Sequence, residues 1–285
     1  MKVAVIGARG QLGTDLVKVF GPDVCAALTH QDIEVTDRDS VTAVLATHRP
    51  DVVINTAAFH QVDACEDDPE KAWRVNALGA RNVAAAAAEL GAACIYISTD
   101  YVFDGEKGAP YSEDDPPRPL NTYGITKLAG EHYTMLCPRY YVARVASLFG
   151  AAGASGKGGN FVETMVKKAR AGEPVRVIDD VFMSPTYTAD AARLIRYIVT
   201  EGLPSGTYHV TNGGVCSWYE FAAAIFRLLG LRVDLASIKS ASLAQKAKRP
   251  RCSALTSSRL QDAGIRPWEE ALEAYLREKG HLAGA

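Results

Sequence analysis

Short apolar runs alternate with amphipathic stretches through the first half of the chain. "VAVI" (Val3–Ile6) and "VVI" (52–54) hold no polar position, the pattern of strands covered by helices on both faces. "VCAAL", "AACIYIST" and "YYVARV" continue the series. Between these runs "QLGTDLVKVF", "DSVTAVLATH", "PEKAWRVNALGARNVAAAAAEL" and "TYGITKLAGEHYTML" repeat apolar residues at helical spacing. Five strands separated by helices predict an α/β fold on a parallel, doubly wound sheet. After Gly150 the texture changes to the Gly/Ala/Ser-rich "GAAGASGKGGN", a helix from about 161 to 171, the extended "PVRVIDD", the turn-prone "MSPTYT" and two amphipathic helices, "SWYEFAAAIFRLLG" and "PWEEALEAYLREKG". The expected division is a sheet domain over residues 1–150 and a smaller portion over 151–285, with some segments returning to the sheet. That smaller lobe would cover the carboxyl edge, where doubly wound folds bind ligands.

The 285 residues are 48% apolar and 22% charged with a formal net charge of −2, values of an ordinary globular protein with no basic face for nucleic acid. No run is long and apolar enough to span a bilayer, and the N-terminus passes straight into a strand. Six scattered cysteines form no CxxC or Cys/His cluster, so neither a metal nor a disulfide framework is expected. Together these features lead us to expect a cytoplasmic protein, monomer or homodimer, without membrane or nucleic-acid partner.

"GARGQLG" places Gly7, Gly10 and Gly13 directly after the first strand and at the start of a helix. Such glycines let backbone N–H groups approach a dinucleotide pyrophosphate at a helix N-terminus, although the same spacing also serves an unliganded strand-to-helix turn. The second strand ends in Thr29 and His30, where an acid would hold the adenosine ribose. A missing acid together with Arg9 in the loop favours the 2′-phosphate of NADPH over NADH.

In "NTYGITKLAGE", Tyr123 and Lys127 stand at i and i+4 on one helical face. A lysine there is expected to lower the tyrosine pKa toward working pH and make a general acid/base. "YISTDYVFDG" sets Ser98, Thr99 and Asp100 at the carboxyl end of the fourth strand, where a Thr hydroxyl can donate to a developing oxyanion or merely cap a turn.

In this order, the motifs resemble the extended short-chain dehydrogenase/reductases. "GxxGQLG", "STDYVFDG", "YGITKLAGE", "GNFVETM", "SPTYTAD", "CSWYEFA" and "RPRCSAL" narrow the resemblance to the dTDP-4-dehydrorhamnose reductase family across nearly the whole chain. The resemblance implies a Rossmann fold, NADPH or NADH as cofactor, and hydride transfer to C4 of a nucleotide-linked 4-keto-6-deoxysugar. It implies Tyr123 as proton donor, Lys127 on the nicotinamide ribose, and Thr99 and Asp100 on the sugar. Gly10, Gln11 and Leu12 would meet the pyrophosphate, Glu34 and Val35 the adenine, and Ala57, Ala58 and Phe59 the ribose and phosphates. The family run Arg-Thr-Ser-Trp-Val-Tyr-Gly reads "RVASLFG" here, so Ser147 replaces a tryptophan laid against the sugar. Leu148, Phe149 or a residue of the glycine-rich loop before Asn160 could fill that space. Two alternatives remain from the sequence: a non-catalytic cofactor-binding subunit like the regulatory subunit of methionine adenosyltransferase, and an epimerase or dehydratase. A dehydratase would have Asp-Glu after the strand-end Thr, whereas Asp100 is followed by Tyr101.

Overall fold

The computed structural model describes residues 1–153 and 159–282. The first half runs β1 (Val3–Ile6), α1 (Gln11–Phe20), β2 (Val24–Leu28), α2 (Arg38–His48), β3 (Val52–Asn55), α3 (Val62–Asp67), α4 (Pro69–Trp73), α5 (Gly79–Glu89), β4 (Ala93–Thr99), α6 (Thr122–Thr134) and β5 (Tyr140–Val145). The remainder runs β6 (Leu148–Phe149), α7 (Phe161–Arg170), β7 (Val175–Ile178), β8 (Phe182–Met183), β9 (Thr186–Tyr187), α8 (Thr188–Thr200), β10 (Gly206–His209), β11 (Cys216–Ser217), α9 (Trp218–Leu228), β12 (Leu235–Ile238) and α10 (Trp268–Glu278).

Six strands form the main sheet in the order β2-β1-β3-β4-β5-β10, every neighbouring pair parallel. The chain leaves β1 on one side to build β2 and resumes on the other side with β3, so a crevice opens at their carboxyl ends. The apolar runs divide their residues between two faces. Val3, Val5, Val52, Ile54 and Ile95 pack with α1 and α8, whereas Ala4, Ile6, Val53 and Cys94 pack with α2 and α5. The sixth strand was not among the five expected: the short "GTYH" has too few apolar positions to announce itself, and it pairs with β5 from the far half of the chain.

A second core gathers Phe149, Val162, Met165, Val175, Phe221, Leu272 and Tyr275 from β6, α7, β7, α9 and α10. The long helix expected from 69 to 90 is interrupted by a π-helical turn at Arg74–Leu78. Asn76 in that turn is fully buried, and its side chain binds Phe59 and Thr126. Such turns concentrate near functional sites, and here the turn ties the loop after β3 to α6. No helix among the described residues is long and apolar enough to cross a membrane.

Candidate active site

A cavity of about 1100 Å³ follows the carboxyl edge of the sheet, from the glycine loop to Trp218 and Phe221. At its first end the backbone itself makes the wall. Gly7 sits at φ 80, and a Cβ there would come 2.3 Å from Thr56 Oγ1; one at Gly13 would come 2.2 Å from the Gly7 carbonyl oxygen. Both positions therefore require glycine. Gly10 begins α1 without a side-chain cap, and the first turn carries no acid. Its leading N–H groups and the positive end of the helix dipole are thus left for an anion. Gln11 Oε1 is buried with no hydrogen-bond partner among the described residues, which fits a donor supplied by a bound ligand.

Gly7, Arg9, Gly10, Gln11, Leu12, Gly13, Thr29, Glu34, Val35, Ala57 and Ala58 all line this end. Phe59 does not. Its backbone N–H and C=O are both taken by Asn76, at 2.8 and 3.0 Å, so it anchors the loop rather than touching the cavity. At the end of β2, Thr29 and His30 line the cavity as expected. Asp32 folds back to accept from Thr29 N at 2.7 Å and Thr29 Oγ1 at 2.6 Å. These hydrogen bonds hold its carboxyl below its ordinary value, with a smaller contribution from Arg9. Asp32 thus closes the turn after β2 and is not among the residues that line the cavity.

The middle of the cavity holds Thr99, Tyr123 and Lys127. Asn121 accepts from Gly124 N at 2.8 Å as the cap of α6, and donates to the Lys248 carbonyl. Thr122 donates from N and Oγ1 to Glu66, both at 2.8 Å. The helix start is thereby pinned, which fixes Tyr123 against Thr99. Burial pushes the Tyr123 phenol well above its ordinary value; a hydrogen bond with Thr99 acts the other way, and the nearby Asp100 adds to the rise. The expected lowering by Lys127 is not seen. Lys127 is itself buried, which brings its pKa down to about 7, and its Nζ donates to the Ile97 carbonyl at 2.6 Å. The phenol is consequently a protonated acid, the state a proton donor needs.

Asp100 is also fully committed. Burial raises its pKa to about 6, and its two oxygens accept from Thr99 Oγ1 at 3.0 Å and Ser253 Oγ at 2.5 Å. It orients Thr99 and ties it to the distant 253 segment. Ser98 also lines the cavity, but its hydroxyl is committed to Glu131 at 2.5 Å.

Ser147 lines the cavity two residues past β5, whose Val145 pairs with Thr99. It adopts φ 43, a left-handed conformation unusual for a non-glycine residue. Leu148, Phe149 and Gly159 line the same region; residues 154–158 of the glycine-rich loop lie outside the described residues. Phe149 is wedged among Tyr187, Phe221 and Tyr275. The aromatic wall that sequence reasoning missed comes from the second core. Phe161 and Trp218, with ring centroids 4.7 Å apart, line both this cavity and an adjoining one of about 1060 Å³. Each opens a helix, α7 after Asn160 and α9 after the Ser217/Glu220 capping box. An aromatic at the first position of a capped helix was the available signal.

Residues 1–280 match the family model described as the RmlD substrate binding domain. The chain is 41% identical to the spore coat polysaccharide biosynthesis protein SpsK of Bacillus subtilis (strain 168), covering 98% of each chain. It is 40% identical to a dTDP-4-dehydrorhamnose reductase of Streptomyces griseus, over 94% of this chain and 90% of that protein. Its structure is similar to that of the Bacillus anthracis dTDP-4-dehydrorhamnose reductase in complex with NADP. There the TM-score is 0.91 at 36% identity, with 98% of this chain and 100% of that one covered.

Proposed function

The chain belongs to the RmlD substrate binding domain family, that of the dTDP-4-dehydrorhamnose reductases, and on that premise we propose that it reduces the C4 ketone of dTDP-4-dehydrorhamnose to give dTDP-rhamnose. It is an NAD(P)-dependent oxidoreductase. The observation that carries the reading is the presence of Thr99, Tyr123 and Lys127 on one cavity with the uncapped glycine loop. NADPH, when bound, supplies the hydride that reaches C4. The glycine loop would hold its pyrophosphate and Lys127 its nicotinamide ribose. Tyr123, kept protonated by burial, would give its proton to the C4 oxygen, and Thr99 would hold that oxygen once its hydroxyl turns from Asp100 to the ligand. The adjoining cavity offers Arg176, Lys248 and Arg251, cations suited to a nucleotide diphosphate. The test is consumption of NADPH on addition of dTDP-4-dehydrorhamnose. Absence of turnover in a protein that binds NADPH would overturn the reductase reading and leave a non-catalytic subunit.

Arg9 lines the cavity and Asp32 does not, so Arg9 is the group that would decide the cofactor choice. A guanidinium favours a 2′-phosphate by about 1.5–3 kcal/mol. Arg9→Ala is expected to lower the NADPH/NADH preference in kcat/KM by roughly 10- to 100-fold, mainly by weakening NADPH. An unchanged preference would place 2′-phosphate recognition on other residues.

Ser147→Trp tests the opened side of the pocket. We expect kcat/KM to fall further for 4-keto sugars bulkier than the rhamnose precursor than for the precursor itself. Backbone strain at φ 43 burdens the variant equally with either substrate, so it cancels in the ratio. Equal losses on both substrates would reject a size-based role for this position.

A further inference from the structure

Helix α6 carries a third polar group on the Tyr123/Lys127 face. Glu131 lies four residues beyond Lys127, as Lys127 lies four beyond Tyr123, so all three point the same way. That face is pressed onto β4: a Cβ on Gly130 would come 2.4 Å from both the Asn76 carbonyl oxygen and the Tyr96 hydroxyl. At this close approach Lys127 Nζ reaches the Ile97 carbonyl at 2.6 Å, and Glu131 Oε1 receives the hydroxyl of the next residue, Ser98, at 2.5 Å. Ammonium and carboxylate, one helical turn apart, are therefore each held on consecutive residues of one strand. Glu131 has no exposed surface. Arg144 of β5 closes it off, with Nε 2.9 Å from Oε1 and Nη2 2.8 Å from Oε2. Behind Arg144 stands His209 of β10, its Nε2 at 3.5 Å.

A buried ion pair adds little net stability over an apolar pair of similar volume, because both charges lose their water. Its placement beside the lysine of the site therefore suggests a second role. We propose that Glu131 is a positioning residue for the reduction: clamped by Arg144 and Ser98, its carboxylate is the counter-anion that keeps the Lys127 ammonium charged and fixed at the cavity wall. The inference rests on the reading of Lys127 given above.

The groups facing Lys127 can be named element by element. Tyr123 and Glu131 lie on α6, the Tyr96 ring (4.0 Å from Nζ) and the Ile97 carbonyl on β4, and Cys65 on α3. Burial lowers the Lys127 pKa to about 7; the effects that raise it come first from Glu131 and then from Cys65. Removing the Glu131 charge would let burial prevail, so the lysine would lose its proton at lower pH.

The experiment measures kcat and, separately, NADPH affinity by nucleotide fluorescence, both as functions of pH. The proteins are the wild type, Glu131→Gln, and the double variant Glu131→Gln/Arg144→Met, which also removes the stranded arginine charge. The alkaline limb of both profiles is expected to move to lower pH by about one to three units in Glu131→Gln. It should move in the same direction, by less, in the double variant. Should Glu131→Gln alone fail to fold, the double variant decides. Variants that lose thermal stability but keep the wild-type pH profiles would overturn the proposal and leave Glu131 purely structural. Lys127→Met separates the two levels of inference. If it binds NADPH and turns over like the wild type, the assigned role of Lys127 fails. If it is impaired while the Glu131 variants keep their profiles, only the present proposal fails.

Discussion

Replacing Tyr123 by Phe is expected to lower kcat about 10²- to 10⁴-fold, the worth of a positioned general acid, with NADPH affinity nearly unchanged. The ring itself would stay in place, since it packs edge-on against Tyr101 with centroids 6.1 Å apart and only the hydroxyl is lost. Neighbouring groups are poorly placed to substitute. The Thr99 hydroxyl is directed to Asp100, and the Asp100 carboxyl accepts from both Thr99 and Ser253. Water would be left to protonate the product. Steady-state rates across pH, with nucleotide fluorescence for binding, check the split; a wild-type rate in the variant would remove Tyr123 from the donor role.

Arg144→Met is expected to destabilise the fold by about 3–5 kcal/mol in urea unfolding, the usual consequence of removing one partner of a buried, hydrogen-bonded ion pair. Glu131 then keeps only the Ser98 hydroxyl for its carboxylate, in a site closed to water. Adding Glu131→Gln should recover much of the loss, because guanidinium and carboxylate are then removed together and only Lys127 is left without its counter-anion. A double variant no more stable than Arg144→Met would show that the guanidinium contributes mainly through packing, for instance against the Phe103 ring 5.1 Å away.

The parts of the site legible in the sequence were those whose chemistry is local. Gly7, Gly10 and Gly13 sit within seven residues, and Tyr123 with Lys127 within five; short spacing on a known element is enough to place them together. The strands of the first half were legible because burial on both faces removes polar residues from them. What depended on distant segments was hidden. Phe161 and Trp218 meet at the cavity although 57 positions separate them. Arg144 was the one visible trace of the buried network. A guanidinium amid the apolar "YYVARV" signals a partner inside the fold, without saying that the partner is Glu131. The effect of Lys127 on Tyr123 was misjudged for a related reason: spacing reveals proximity, whereas burial, which dominates both groups, depends on the whole fold.

The sixth strand has a consequence for how such a protein can be inherited. The glycine loop, Thr99, Tyr123 and Lys127 all precede Gly150, which suggests a portable module. Yet β10 lies along the outer side of β5, and α8 covers α1 over Leu16 and Phe20, both contributed from beyond the second core's first helix. A fragment ending at Gly150 would bare the hydrogen-bonding edge of β5 and an apolar helix face together, a combination that invites aggregation. Gene fusion or exchange of the specificity-bearing segments would therefore have to proceed by insertion between β5 and α8, or after β10, with the sheet's return segments carried along.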